Sequence, residues 1–262
     1  MTAADELLRA GDLAGARQAL VEAVRARPGD EQARMFLFQL LALAGEWDKA
    51  RTQLETLARL SPEAQMLAVA YGQAIDAELF RAQVFAGRAT PPNLSRSSAW
   101  ANDLALAIGH FAAGRTEEGE AARDRAFESA PDTPGTLDGV AFDWIADADP
   151  RFGPSFEAIV AGSYGIVPFD AVEAITSEGP RDLRDLAWYP VQLRFRSGQS
   201  IGAMLPARYP GSEGAADPAI RLARSTEWED GPAGQIGSGQ HLFSLSGGEE
   251  RGLLELRSLS FG

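Results

Sequence analysis

At 262 residues, 45% hydrophobic and 23% charged, the chain has the composition of a globular protein with room for two modest domains. Its net charge of −13 and isoelectric point near 4.7 argue against the polyanionic partners, nucleic acid and acidic lipid. With no cysteine, disulfides, thiolate metal sites and a cysteine nucleophile are excluded.

The N-terminus, MTAADELLRAGDLAGA, carries acids early and lacks the basic start and apolar core of a signal peptide. No apolar run approaches the roughly 18 residues of a membrane span. The expectation is a soluble, cytoplasmic protein. Residues 3–132 read as helices, with apolar residues at helical spacing in Met35, Phe38 and Leu41 and again in Leu54, Leu57 and Leu60. Gly11–Pro28 and Gly45–Pro62 superpose at a period of about 34 residues, Leu13 on Trp47, Ala16 on Ala50, Leu20 on Leu54 and Ala23 on Leu57. Gly114–Pro131 repeats the frame. Glycine between two helices, small residues at their contact and proline after the second form the tetratricopeptide pattern. An extra helix over about 63–86 and a turn-rich loop, GRATPPNLSRSS, interrupt the array.

After Pro131 the pattern changes. PDTPGTLDG reads as a joint, and Pro154–Ala161 as one short helix. VQLRF, IGAML, HLFSL and LLELRSLSF alternate as strands, with glycine- and proline-rich loops between them, and Arg196-Ser-Gly198-Gln reads as a hairpin turn. The fold class is therefore α+β: tetratricopeptide-like helices over 1–132, then a small mixed domain over 133–262 with an antiparallel sheet or partly open barrel.

Gly198-Gln-Ser200-Ile-Gly202 fits the nucleophile elbow of hydrolases, with acids and His241 downstream. The helix that must follow the serine is precluded by Pro206 and Pro210, so Ser200 and His241 stand as an alternative, a serine hydrolase. Asp147-x-Asp149-x-Arg151 opens like a calcium loop, but an arginine occupies a ligand position. A hydrogen-bonded corner of Asp143, Asp147, Asp149 and Arg151 is the better reading. His110 reads as a packing or surface residue, and Gly234-x-x-Gly237-x-Gly239, without lysine, as a mobile loop. Neither a metal nor a cofactor is expected. Among the aromatics, Trp144, Phe169 and Trp188 are assigned to the core. Arg208, Tyr209 and Trp228 stay open as recognition residues, since Arg, Tyr and Trp are enriched at interfaces.

Several phrases in order carry a resemblance: Phe142-Asp-Trp-Ile-Ala-Asp-Ala-Asp-Pro-Arg-Phe-Gly-Pro154, Gly162-Ser-Tyr-Gly-Ile-Val-Pro-Phe169, Pro180-Arg-Asp-Leu-Arg-Asp-Leu-Ala-Trp188, Leu205-Pro-Ala-Arg-Tyr-Pro-Gly-Ser212 and Leu222-Ala-Arg-Ser-Thr-Glu-Trp228. In these the chain resembles the ImpE/TagJ family, accessory proteins of bacterial type VI secretion. It departs from the family near its end, where Gly239-Gln240-His241 stands in place of Gly-Gln-Arg. The resemblance implies a non-enzymatic adaptor that binds the N-terminal helix of the small contractile-sheath subunit and works alongside the ATPase that recycles sheath. A repeat groove suits an amphipathic helix. In repeat register Met35, Gln39 and Leu43 line the inner helix of the second frame, and Leu104, Ile108 and Phe111 that of the third. Left uncovered, these stripes form a binding groove; covered by another element, they are core. A third alternative is a self-assembling structural component, if strand edges are exposed.

Overall fold

The computed structural model describes residues 3–95 and 97–262. Its first half is a run of helices: α1 (Ala3–Arg9), α2 (Leu13–Ala26), α3 (Glu31–Leu43), α4 (Trp47–Leu60), α5 (Glu63–Phe85), α6 (Ala101–Ala112) and α7 (Thr116–Ser129). Each glycine of the three frames sits between paired helices at positive φ, 80° at Gly11, 66° at Gly45 and 72° at Gly114, where an L side chain is strained. Asp12 and Asp30 cap α2 and α3 by accepting from the amides of Gly15 (2.8 Å) and Ala33 (3.0 Å). Ala16, Ala50, Ala122 and Ala126 are buried where a larger side chain would hold the helices apart. The extra helix is α5, which runs on unbroken past the point where the repeat would turn.

The second half contains β1 (Gly135–Leu137), β2 (Val140–Phe142), β3 (Ile145–Asp147), β4 (Ser155–Val160), β5 (Ser163–Pro168), β6 (Val172–Thr176), β7 (Trp188–Phe195) and β8 (Ser200–Pro206). There follow a short helix α8 (Pro218–Arg221), then β9 (Thr226–Gly231), β10 (Gly234–Gly239), β11 (Leu242–Leu245), β12 (Glu250–Gly252) and β13 (Ser258–Phe261). An open eight-stranded sheet has the order β2-β1-β13-β6-β7-β8-β4-β5, accompanied by a three-stranded sheet β12-β11-β3 and the hairpin β9-β10. No barrel closes. Named pairings within the sheets are antiparallel, and Arg196–Gln199 turns β7 into β8 as expected. One face of the large sheet, with Phe156, Tyr189, Leu193 and Leu205, joins Phe243 and Leu245 of the small sheet in one apolar cluster. Ile159, Tyr164, Ile166 and Trp188 point the other way, into a cluster shared with α2 to α6.

Four local expectations are corrected. Pro154–Ala161 is not a helix but strand β4, paired on one edge with β5 and on the other with β8. Its burial on both faces erases the alternation that marks a strand, and Ala161 and Gly162 at φ 49° and 79° make the tight hairpin turn. The glycine-rich Gly234–Gly239 segment is strand β10 rather than a mobile loop. LLELRSLSF is split, a 3₁₀ turn at Leu253–Glu255 preceding β13. Trp144, assigned to the core, is 42% exposed at the corner before β3. Phe169 and Trp188 are fully buried as expected.

The outer edge of β5 is covered by the loop from Pro92 to Leu94: the Leu94 amide donates to the Ile166 carbonyl, and the Ile166 amide to Pro92, both at 3.0 Å. β2 at the opposite end is only three residues long. Both devices blunt the edges of the large sheet. In β10, Gly237 leaves room for a ring: a Cβ there would stand 2.3 Å from Tyr209. Gly237→Ala should therefore destabilise the protein by about 1–3 kcal/mol, seen as a lowered urea midpoint.

Candidate functional site

The inner face of the repeats is not open. The 3₁₀ turn Leu183–Leu186 packs on α3, where the Arg184 guanidinium lies 3.6 Å from the Met35 sulfur and 4.8 Å from the centre of the Tyr71 ring. Trp188 stacks on Trp47 and Tyr71, at 5.8 and 5.6 Å between ring centres. Arg208 closes the end of α3, donating to the carbonyls of Leu43 (2.9 Å) and Arg221 (2.6 Å). Of the residues expected in a groove, Gln39, Leu43, Leu104, Ile108 and Phe111 are buried, and Met35 is half-buried beneath Arg184. Tyr209 is fully buried and Arg208 nearly so, while Trp228 is half-buried against Tyr209. The chain's own second half thus covers most of these positions, and they act as core.

At the seam between the two halves lies a buried charged chain, of which the sequence singled out Asp147, Arg208, Tyr209 and His241 but not Glu78, Arg81 or Glu157. Arg81 of α5 grips Glu157 of β4 with two hydrogen bonds, Nε to Oε1 at 2.7 Å and Nη2 to Oε2 at 2.6 Å, and donates also to the Arg208 carbonyl at 2.8 Å. Tyr164 donates to Glu157 at 2.5 Å. His241 stands between two carboxylates, Nδ1 2.7 Å from Asp147 and Nε2 3.0 Å from Glu157. Tyr209 donates to the other oxygen of Asp147 at 2.8 Å. Trp188 Nε1 donates to Glu78 at 3.0 Å, beside Arg81.

Burial would push the Glu157 carboxyl up, but the Arg81 charge and hydrogen bonds hold it well below the usual range. Burial likewise disfavours charge on His241, yet Asp147 and Glu157 outweigh it and raise the imidazole to about 9. Asp147 goes the opposite way from Glu157: burial dominates and raises it despite the histidine, because no guanidinium reaches it. The expected aspartate corner forms in part, Asp149 accepting from the Arg151 amide, Nε and Nη2 and from the Gly237 amide, while Asp143 stays exposed outside it.

This geometry bears on the hydrolase alternative. Ser200 is exposed at the start of β8, across from Arg194, and both nitrogens of His241 are committed to carboxylates. Among the described residues, Ser200 and His241 are not paired. His110 is half-buried and accepts from Arg115 at 2.9 Å.

Open space remains along the seam. A cavity of about 390 Å³ is walled by Phe85, Ile108, Phe111, Pro210, Pro232 and Ile236, with Arg151 at its edge. Beside it, sharing Phe85, Pro210 and Gly211, is a second of about 240 Å³ that reaches Trp47, Glu78, Arg81 and Glu213. The two form one trough between α5, α6 and the Pro210 loop. Two of the expected groove residues, Ile108 and Phe111, belong to its wall.

The family model described as ImpE protein matches residues 139–260, and a tetratricopeptide-repeat model matches residues 7–70. A Pseudomonas aeruginosa protein, the type VI secretion system accessory component TagJ, is 43% identical over 258 residues, covering 98% of this chain and 90% of that protein. The chain belongs to the ImpE family. A crystal structure of a Vibrio parahaemolyticus protein matches with a TM-score of 0.88 at 21% identity, over 100% of this chain and 98% of that one, a likeness of fold. Within the ImpE match lie Asp147, Glu157, Tyr164, Arg208, Tyr209 and His241. Their partners Glu78 and Arg81 lie outside both models, on the far half of α5. In this ImpE-family chain, α5 is therefore one of the elements that tie the repeats to the sheet, beside the contacts of Arg184, Trp188 and Arg208 with α3 and α4.

Proposed function

We propose that the chain is a non-enzymatic accessory component of a bacterial type VI secretion system, acting in the cytoplasm. In this reading it binds the N-terminal helix of the small contractile-sheath subunit and assists sheath handling, alongside the recycling ATPase. The observation that carries the reading is the near full-length identity with the accessory component TagJ. Two features of the site favour an adaptor over a hydrolase: the histidine has no nucleophile, and the open space is an apolar trough of the kind that takes the side chains of an amphipathic helix. Because the inner repeat face is filled, the helix docks along the seam, its apolar side chains entering between Phe85, Phe111 and Ile236.

Calorimetric titration with a synthetic N-terminal helix of the cognate small sheath subunit tests this. Saturable binding near micromolar, about −8 kcal/mol, is expected of a reversible adaptor. No binding by the folded protein sinks the reading. Placing carboxylates at the rim, Ala112→Glu with Ile236→Glu, should weaken binding at least tenfold without unfolding the chain, since both positions are half-buried rather than core. Unchanged affinity in that variant would move the helix off the trough.

A further inference from the structure

The narrower end of the trough carries a carboxylate without a hydrogen-bond donor. Glu213 is half-buried in the Ser212–Gly214 turn, its stem pressed on the α3–α4 turn so closely that a Cβ on Gly45 would lie 2.7 Å from its Cγ. Among the described residues its carboxylate makes no hydrogen bond and no ion pair. The cation near it is the buried Arg208, whose largest charge interaction is with Glu213. Arg208 spends its donors on the carbonyls of Leu43 and Arg221, while Glu78, Asp147 and Glu157 are hydrogen-bonded by Trp188, Tyr209, His241, Arg81 and Tyr164. Glu213 is thus left without a hydrogen-bond donor at a wall that faces open space, with Trp47 lining the same cavity.

A carboxylate next to an aromatic ring is the arrangement that holds a lysine or arginine side chain, by ion pairing and by attraction to the ring face. The adjoining cavity is mostly apolar, the one charge in its wall being Arg151, which is paired with Asp149. Resting on the adaptor reading, we infer that the trough selects a partner segment bearing an apolar anchor and, on the same face, a basic residue, which Glu213 and Trp47 receive. The apolar end supplies affinity and the Glu213 end supplies register, because a helix docked in reverse or slipped by a turn leaves the carboxylate unpaired.

The test uses the synthetic N-terminal helix of the cognate small sheath subunit and the full chain, titrated at low and high salt. Glu213→Gln keeps the stem on Gly45 and should weaken binding several-fold while flattening its salt dependence. Glu213→Lys should weaken it at least tenfold. A peptide whose basic residues on the docking face are changed to Glu should lose affinity for the wild type and regain it for Glu213→Lys, a rescue that a merely structural role for Glu213 would not give. Absence of binding by the wild type overturns the adaptor reading together with this inference. Binding that both Glu213 variants leave unchanged, at either salt, overturns the charge recognition alone.

Discussion

Replacing Arg81 with methionine should lower the stability of the fold by about 3–5 kcal/mol, the usual effect of stripping one partner from a buried ion pair. The guanidinium is 6% exposed and serves three elements at once: Glu157 on β4, Glu78 one turn earlier on its own helix, and the carbonyl of Arg208 at the start of the Pro210 loop. Methionine replaces the volume but not the donors. Glu157 would then face burial with only Tyr164 and His241 beside it, and the desolvation that Arg81 now overrides would lift its carboxyl. Urea unfolding followed by tryptophan emission measures the loss, since Trp188 donates to the neighbouring Glu78. Adding Glu157→Gln to Arg81→Met should recover part of it, because the stranded charge is gone. A loss below about 1 kcal/mol, well short of that range, would show that this pair does not hold the helices to the sheet.

The same seam explains what was legible in the sequence. Helix pairs were readable because Gly11, Gly45 and Gly114 serve a local need, the left-handed turn between helices, and local needs leave spaced residues behind. The hairpin of β7 and β8 was readable for the same reason, as was α5, bounded by Pro62 and Gly87. β4 was misread because a strand buried on both faces has no alternation, and Glu157 within it looks like the polar face of a helix. The charged seam was invisible: Arg81 and Glu157 are 76 positions apart, and nothing local marks either as the other's partner. The groove residues show the converse. Gln39, Leu43 and Leu104 carry the pattern of an inner repeat face, but pattern cannot tell whether the cover comes from another protein or from the chain itself. Arg208 and Tyr209, rich in recognition chemistry, are spent on the same internal closure.

Raising the pH from 6.5 through 9 should remove about 3 kcal/mol of stability, the linkage expected when one group's proton affinity is about 2.5 units higher folded than unfolded. His241 is that group: its ordinary value is 6.5, and between Asp147 and Glu157 it rises to about 9. Because the folded value is the higher one, the contribution is complete below the unfolded value and fades as the imidazole loses its proton in the folded protein. Asp147 on β3, Glu157 on β4 and the rings of Phe152 and Tyr209 surround the histidine, so the ring is buried where it loses its charge. Deprotonation leaves the ring one N–H, so one of the two carboxylates loses the histidine's hydrogen bond and both lose its charge. Of the neighbouring groups, Arg208 titrates only near 10, above this window, and Tyr209 and Tyr164 are raised by burial further still. The measurement is the urea midpoint at pH 6, 7.5 and 9, for wild type and for His241→Gln, which cannot titrate. A falling midpoint in the wild type with a flatter one in the variant assigns the effect to His241, and parallel curves would remove it. The consequence reaches the trough, since Glu157 links the histidine to Arg81, and Arg81 holds the Arg208 carbonyl from which the Pro210 wall is hung. Partner binding should therefore weaken over the same alkaline window, ahead of global unfolding.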